Sequence, residues 1–408
     1  MVDLKIIENS SGITDVSGFQ VSGVSSDVRN NGSDRLDTGI IYSKAPAIAA
    51  GVFTQNDIKA APVRFCMEQL ESIEFFHGVL VNSGNANACT GSQGMIDARD
   101  MVKIAEQSLA APKNSFLVAS TGRIGELLPM DRLRIGIEVA AKKVSYDPES
   151  GHNLANSILT SDTKSKLCSV CFEHAGKKIT VGGIAKGAGM IEPNMATMLS
   201  FLATDLHVPQ EILQKVLVQA VGESFNSITI DGDMSTNDTV LLLSNGMSGL
   251  VLKDSEQELL EKFTQAVSFV SRNLASKIVG DGEKITHVVE LSIQGAKNID
   301  AAEKVARAIG NSLLVKTSWF GNDPNWGRLV DSAGYARVGI EEEKLDIFYE
   351  QIPVLIHGSP IYENKPKWKE VVCRKNFKIS IHLNQGDACY TLLTTDLSEE
   401  YVNFNRSE

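Results

Sequence analysis

A chain of 408 residues, 43% hydrophobic and 22% charged, has an ordinary globular composition that excludes a disordered or membrane protein; it exceeds what one core usually serves, so two lobes or one composite α/β unit are expected. A formal net charge of −11 with no basic stripe excludes a nucleic-acid partner and points to small-molecule chemistry. The opening residues 1–8 are charged where an export signal needs an apolar run, and no segment approaches the ~18 uninterrupted apolar residues of a membrane span, so a cytoplasmic protein with reduced thiols and no membrane partner is expected.

In chain order, residues 35–37, 40–42 and 47–52 read as short strands separated by small residues. Val79, Leu80 and Val81 then lead into the amide-rich stretch 82–91, whose small polar residues suit a loop lining a site. Helical apolar spacing covers 99–111 and 131–143, and between them 115–120 reads as a buried strand ending at Thr121 and Gly122. Cys168 and Cys171 form a C-x-x-C, but no second pair or histidine cluster completes a zinc site, and apolar neighbours place them on a strand. A strand over 178–184 feeds the Gly-rich 185–190. Farther on, Leu259, Phe263, Val267, Val270 and Leu274 fall at helical spacing, whereas Val289, Leu291 and Ile293, and again Ile379, Ile381 and Leu383, alternate as on strands. Helices mixed with strands and no sequence repeat predict an α/β or α+β architecture, with no clear linker dividing it.

The chemistry concentrates at residues 186–200, a Gly- and Pro-punctuated loop that reaches Thr197 just before the apolar run 198–203. A threonine hydroxyl is a weak nucleophile. The most compact activation makes the residue an N-terminus, whose own α-amine, with a pKa of about 7.7–8.0, accepts the proton. Taken in isolation, Thr197 reads as a plain strand or helix-start residue. The seven histidines show no spacing suited to a triad or a zinc site. Asp231, Asp233 and Asp238 lack the closing glutamate of a calcium loop, so no metal is assigned.

Residues 186–199 resemble the cleavage-site motif of the ornithine acetyltransferase family, also called bifunctional glutamate N-acetyltransferase. Further blocks resemble the family's in its order: 51–54, 82–88, 120–122, 231–239 (Asp-Gly-Asp-Met-Ser-Thr-Asn-Asp-Thr), 281–283 and 321–328 (Gly-Asn-Asp-Pro-Asn-Trp-Gly-Arg). The resemblance implies a layered helix/sheet/sheet/helix α/β sandwich. It also implies a chain that cuts itself between Ala196 and Thr197 into fragments 1–196 and 197–408, intertwined and assembled as two copies of each. The implied reaction moves the acetyl group of N-acetylornithine onto Thr197 and then to glutamate. The Thr121 hydroxyl and the Gly122 N–H serve as oxyanion donors, and Thr160, Lys186, Thr197, Glu283 and Asn405 contact substrate. No cofactor is implied; acetyl-CoA enters as an optional co-substrate.

The chain departs from the family pattern at Lys284-Ile285-Thr286-His287, where Gly-Ala-Thr-Lys is usual, and at its end, where Asn405 is retained but the last Tyr and Thr residues are absent. Two other readings stay open on the residues: an amidase or aminopeptidase cut before its nucleophile and passing the acyl group to water, and a non-catalytic paralogue.

Overall fold

The computed structural model describes residues 3–192, 198–253 and 255–406. They fall into two compact units: one takes the described residues of Met1–Gly187, Asn194–Asn226 and Met234–Ile278, the other those of Ala188–Pro193, Ser227–Asp233 and Val279–Glu408.

The first unit carries strands β1 (Lys5–Ile6), β2 (Phe19–Val24), β3 (Thr38–Phe53), β4 (Phe76–Asn85), β5 (Phe116–Arg123), β6 (Lys166–His174), β7 (Lys177–Lys186), β8 (Leu199–Thr204) and β9 (Thr239–Ser244). Its helices are α1 (Ala61–Ser72), α2 (Gly91–Leu109), α3 (Met130–Lys142), α4 (Pro148–Ser157), α5 (Gln210–Gly222) and α6 (Gln257–Val279). The strands join in the order β1-β6-β7-β8-β9-β3-β4-β5, with β2 also on β3. The 35–37, 40–42 and 47–52 strands expected separately are different in the structure: the latter two are one 16-residue strand, β3, and 35–37 lies before it. Residues 38–43 of β3 pair with β2 and, in part, β4, whereas 48–53 pair with β9, and the register breaks between Tyr42 and Ala47. Pro46, which has no N–H to donate, falls in that break. One strand thereby belongs to two sheet layers.

A single core joins the layers. Ile184, Leu199, Phe201, Ala203, Leu241 and Leu243, alternate residues of β7, β8 and β9, cluster with Ile40, Val79, Val81 and with Met101, Ala105 and Ile137 of the helices. On the other face of β7 and β8, Gly183 leaves room for Leu202 and for Leu274 of α6. Helices α2 and α3 pack on each other, and α1 and α2 on β5, because their buried residues recur at three- and four-residue spacing, as Ala98, Met101, Val102 and Ala105 do in α2. This is the expected helix/sheet/sheet/helix layering.

The second unit holds β10 (Val288–Ala296), α7 (Ile299–Gly310), α8 (Leu313–Phe320), α9 (Trp326–Tyr335), β11 (Asp346–Tyr349), β12 (Ile352–Ile356), β13 (Ser359–Pro360), α10 (Lys365–Val372), β14 (Asn376–His382), β15 (Ala388–Thr395) and α11 (Glu399–Phe404). Its strands run β13-β12-β11-β14-β10-β15. Strand β10 pairs with β14 on one side and β15 on the other, and its Val289, Leu291 and Ile293 are fully buried, packed in one cluster with Ile379, Ile381, Trp319 and Trp368. Asn298 caps α7 by accepting the Ala301 N–H at 2.8 Å. Among the described residues no helix is long and apolar enough to cross a membrane.

Candidate active site

In the first unit, the reactive residue types gather where parallel strands end and begin. Strands β4 and β5 run parallel to Ser83–Gly84 and Thr121–Gly122, and β8 and β9 run parallel from Leu199 and Thr239. Gly122 has φ +133°, and a Cβ there would lie 2.3 Å from the Gly84 carbonyl carbon, so only glycine fits. Of the stretch 82–91, expected as a loop, residues 82–87 are buried: Asn82 to Asn85 complete β4 and the amides bind backbone. Asn82 donates to Asn85 O at 2.9 Å and accepts the Ser120 hydroxyl at 2.6 Å. Asn237 donates to Ala86 O at 2.6 Å and to Ser120 O at 2.8 Å, tying the residue before Thr121 to the start of β9.

Beside them, Lys186 ends β7 only 1% exposed, with its amine 3.4 Å from the Thr160 hydroxyl. Asp162 accepts the Thr160 N–H at 3.1 Å, the Gly187 N–H at 2.7 Å and the Lys166 amine at 2.6 Å. Burial pushes the Asp162 carboxyl up, but Lys166, Lys186 and these hydrogen bonds outweigh it and hold the group below the usual carboxylate range. Thr160 and Lys186, paired by the resemblance, are thus brought together around an ionised acid. Asp238 accepts the Met198 N–H through Oδ1 at 3.0 Å, while its buried Oδ2 has no hydrogen-bond partner. Burial drives this carboxyl well above the usual range, against the Met198 hydrogen bond, the Lys186 charge and the Thr54 hydroxyl. Ala196 and Thr197 lie outside the described residues.

In the second unit, Glu283 and Asn405 meet: the Asn405 amide donates to Glu283 Oε2 at 3.2 Å, and the Glu283 N–H donates to Ala188 O at 2.9 Å. A Cβ on Gly189 would lie 2.4 Å from Glu283 Oε1, so the glycine admits the carboxylate. Asp231 accepts Met190 N–H at 2.6 Å, Ile191 N–H at 2.7 Å and the Tyr401 hydroxyl at 3.2 Å. The unusual 284–287 stretch is accommodated locally. The Lys284 amine sits over the Phe404 ring at 5.2 Å, and Thr286 and His287 N–H bind Asp396 at 2.9 and 3.0 Å.

The ArgJ family model matches residues 20–407. The chain belongs to the ArgJ family. The curated "Arginine biosynthesis bifunctional protein ArgJ" of Thermotoga neapolitana is 44% identical over 393 residues, 95% of this chain and 98% of that protein. The protein of the same name from Oceanobacillus iheyensis is 40% identical over 406 residues, 99% of this chain and 98% of that one. A crystal structure of the Bacillus halodurans ArgJ protein is 38% identical, with a TM-score of 0.45, and covers 48% of this chain and 98% of that chain. The ornithine acetyltransferase assignment made on sequence blocks therefore holds, and with it an acyltransferase of arginine biosynthesis. Within this ArgJ chain, the sequence reading passed over Asn237 and weighed Asp231 and Asp238 only as a metal loop, giving none of them a role. All three lie in the 231–239 block, which it matched to the family without a role, and hydrogen bonds to distant backbone are invisible in a linear motif.

Proposed function

We propose that the chain cuts itself after Ala196 and that the new N-terminal Thr197 carries acetyl from N-acetylornithine to glutamate, releasing ornithine and N-acetylglutamate. The observation that carries this reading is the pairing of β7 with β8, Lys186 opposite Leu199. The strand that precedes the proposed scissile bond and the strand that follows it are neighbours in one sheet, so a cut leaves both fragments hydrogen-bonded into the same core. The Thr121 hydroxyl and Gly122 N–H serve the developing oxyanion, each donor worth about 10²–10³ in rate. The Lys186 ammonium takes the substrate carboxylate with Thr160, and Glu283 with Asn405 takes the ornithine ammonium. Two copies of each fragment assemble into a cytoplasmic heterotetramer of about twice 44.1 kDa, and acetyl-CoA is a co-substrate for direct acetylation of glutamate.

Intact mass spectrometry of the wild type beside Thr197→Ala tests the cut. Two fragments, the second beginning at Thr197, are expected in the wild type alone; one uncut chain in both would end the proposal and favour a non-catalytic paralogue. Consumption of N-acetylornithine should require glutamate, and glutamate-independent hydrolysis would turn the assignment to an amidase. Native mass spectrometry reads the assembly, and release of CoA with glutamate alone reads the second donor.

A further inference from the structure

We propose that Arg29 and Arg35 form the acceptor's side-chain subsite, a guanidinium pair that holds the γ-carboxylate of glutamate while Lys186 and Thr160 hold its α-carboxylate. The inference rests on the acetyl-transfer reading above and adds what that reading lacks, a feature that tells the acceptor from the donor.

Ornithine and glutamate carry the same groups on the α-carbon and opposite side-chain ends, an ammonium in one and a carboxylate in the other. The ammonium is given to Glu283 with Asn405; a carboxylate needs cations of its own. The first unit offers them in one place. Arg29, Arg35, Asp27, Asp37 and Ser83 are among the residues lining a cavity of about 140 Å³. The Arg35 guanidinium donates to the Thr160 carbonyl at 2.7 Å, and the Lys186 amine stands 3.4 Å from the hydroxyl of that same threonine. Thr160 therefore has Lys186 at its side chain and Arg35 at its main chain. Two cations about one residue suit glutamate, whose two carboxylates are separated only by Cα, Cβ and Cγ. The Arg29 stem lies on Gly84, where a Cβ would meet Arg29 Cγ at 2.9 Å, and Gly84 in turn lies against Gly122 of the proposed oxyanion pair.

The donors of this cavity are left over, whereas its acids are used. Asp27 holds Arg132 at 2.7 Å and accepts the Asn31 and Gly32 N–H at 2.9 and 3.1 Å. Asp37 accepts the Ser26 and Val28 N–H at 2.6 and 2.7 Å. Those bonds also order the backbone that carries the arginines, which lowers the cost of holding a ligand between them. Among the described residues no oxygen accepts from the Arg29 guanidinium, and the Arg35 guanidinium has the Thr160 carbonyl alone. Ser83 lines the cavity and is only 2% exposed, and its hydroxyl has no hydrogen-bond partner among the described residues. A buried polar group without a partner marks a place where a ligand belongs. Burial and the neighbouring Arg29 charge lower the Arg35 guanidinium from its ordinary range, outweighing Asp162 and Asp37, and a bound carboxylate relieves that penalty.

The test is Arg29→Gln and Arg35→Gln, singly and together, in the full-length enzyme, with the two half-reactions read apart. Ornithine release from N-acetylornithine in rapid quench reads the donor half. N-acetylglutamate formation over a range of glutamate, with glutamine as the neutral analogue, reads the acceptor half. Each single variant is expected to raise the glutamate KM about 10- to 100-fold with the donor half unchanged, and the double variant to bring glutamate down to the level of glutamine. Arg35→Lys, which keeps the charge without the fork, is expected to recover part of the loss. Arg29→Gln breaks no hydrogen bond among the described residues, so it decides alone should Arg35→Gln not fold. An unchanged glutamate KM overturns the proposal, and so does an equal fall in both half-reactions, which marks a structural role. A change confined to acetyl-CoA as donor gives the pair to a phosphate and overturns it too. A wild type that forms no N-acetylglutamate from N-acetylornithine defeats the underlying reading instead, and the proposal with it.

Discussion

Two aspartates of one nine-residue block meet the segment around the proposed cut, and they are satisfied differently. Asp231, in the second unit, receives Met190, Ile191 and Asp233 N–H and the Tyr401 hydroxyl, so each oxygen has two donors. Asp238, in the first unit, receives Met198 N–H on one oxygen and nothing on the other. Burial pushes both carboxyls up. A buried carboxyl with all its acceptor sites used holds a backbone in place; one left partly unused carries an energetic penalty that function must explain. The difference separates a fully satisfied anchor from a buried carboxyl with acceptor capacity left over, within one motif.

The contrast can be broken from either side. Gly122→Ala, in the unit with the reacting groups, drives a side chain into Gly84 at a φ of +133°. A fall in kcat of about 10²–10³-fold, roughly 3–4 kcal/mol of transition-state stabilisation, is expected in steady-state assay, and an unchanged kcat would remove Gly122 from the oxyanion role. Asp231→Ala, on the anchor side, strands four donors. Urea unfolding should show about 3 kcal/mol lost, and a loss below about 1 kcal/mol would make Asp231 dispensable as an anchor.

A smaller effect belongs to Lys316, a fully buried amine on α8 that donates to Thr395 O at 2.5 Å. Burial lowers it from 10.5 to about 8, with Asp231 among the charges that resist the shift. Above about 8 the unfolded chain keeps a proton that the folded protein has released, so this residue makes stability rise with pH up to about 10.5. The gain is about 1 kcal/mol between pH 8 and 9, and Lys316→Met should flatten it in parallel melts. The smallest change is Tyr401→Phe, which takes one of the donors from Asp231. It should lower stability by about 0.5–1.5 kcal/mol, and a similar loss in the Asp231→Ala background would show that the two do not act together.

Much of the fold was legible. The helices at 99–111 and 131–143 correspond to α2 and α3, and the strands ending at Thr121 and over 178–184 are β5 and β7. In each case the buried residues repeat with the period of the element. The joined β3 was not legible, because its continuity through Lys44 and Pro46 depends on pairing with β2 and β4 on one side and β9 on the other. The burial of Asn82 and Asn85 was also hidden, since polar residues inside a core are paid for by partners far along the chain, such as Ser120 for Asn82.

The sequence by itself determined the family, the element periods and the positions of the reactive residue types, because these depend on residue identity and short spacing. It placed Thr121 beside Gly122 at a strand end and Thr197 after a glycine-rich loop. Only the tertiary structure decided which polar groups are satisfied. That Lys186 stands buried beside Thr160, that Glu283 lies over Gly189 with Asn405 on it, and that Asp238 keeps one oxygen without a donor all follow from pairing across tens to hundreds of residues. Burial and hydrogen bonding at such separations are properties of packing, and packing sets which of several chemically similar residues can hold or give a proton.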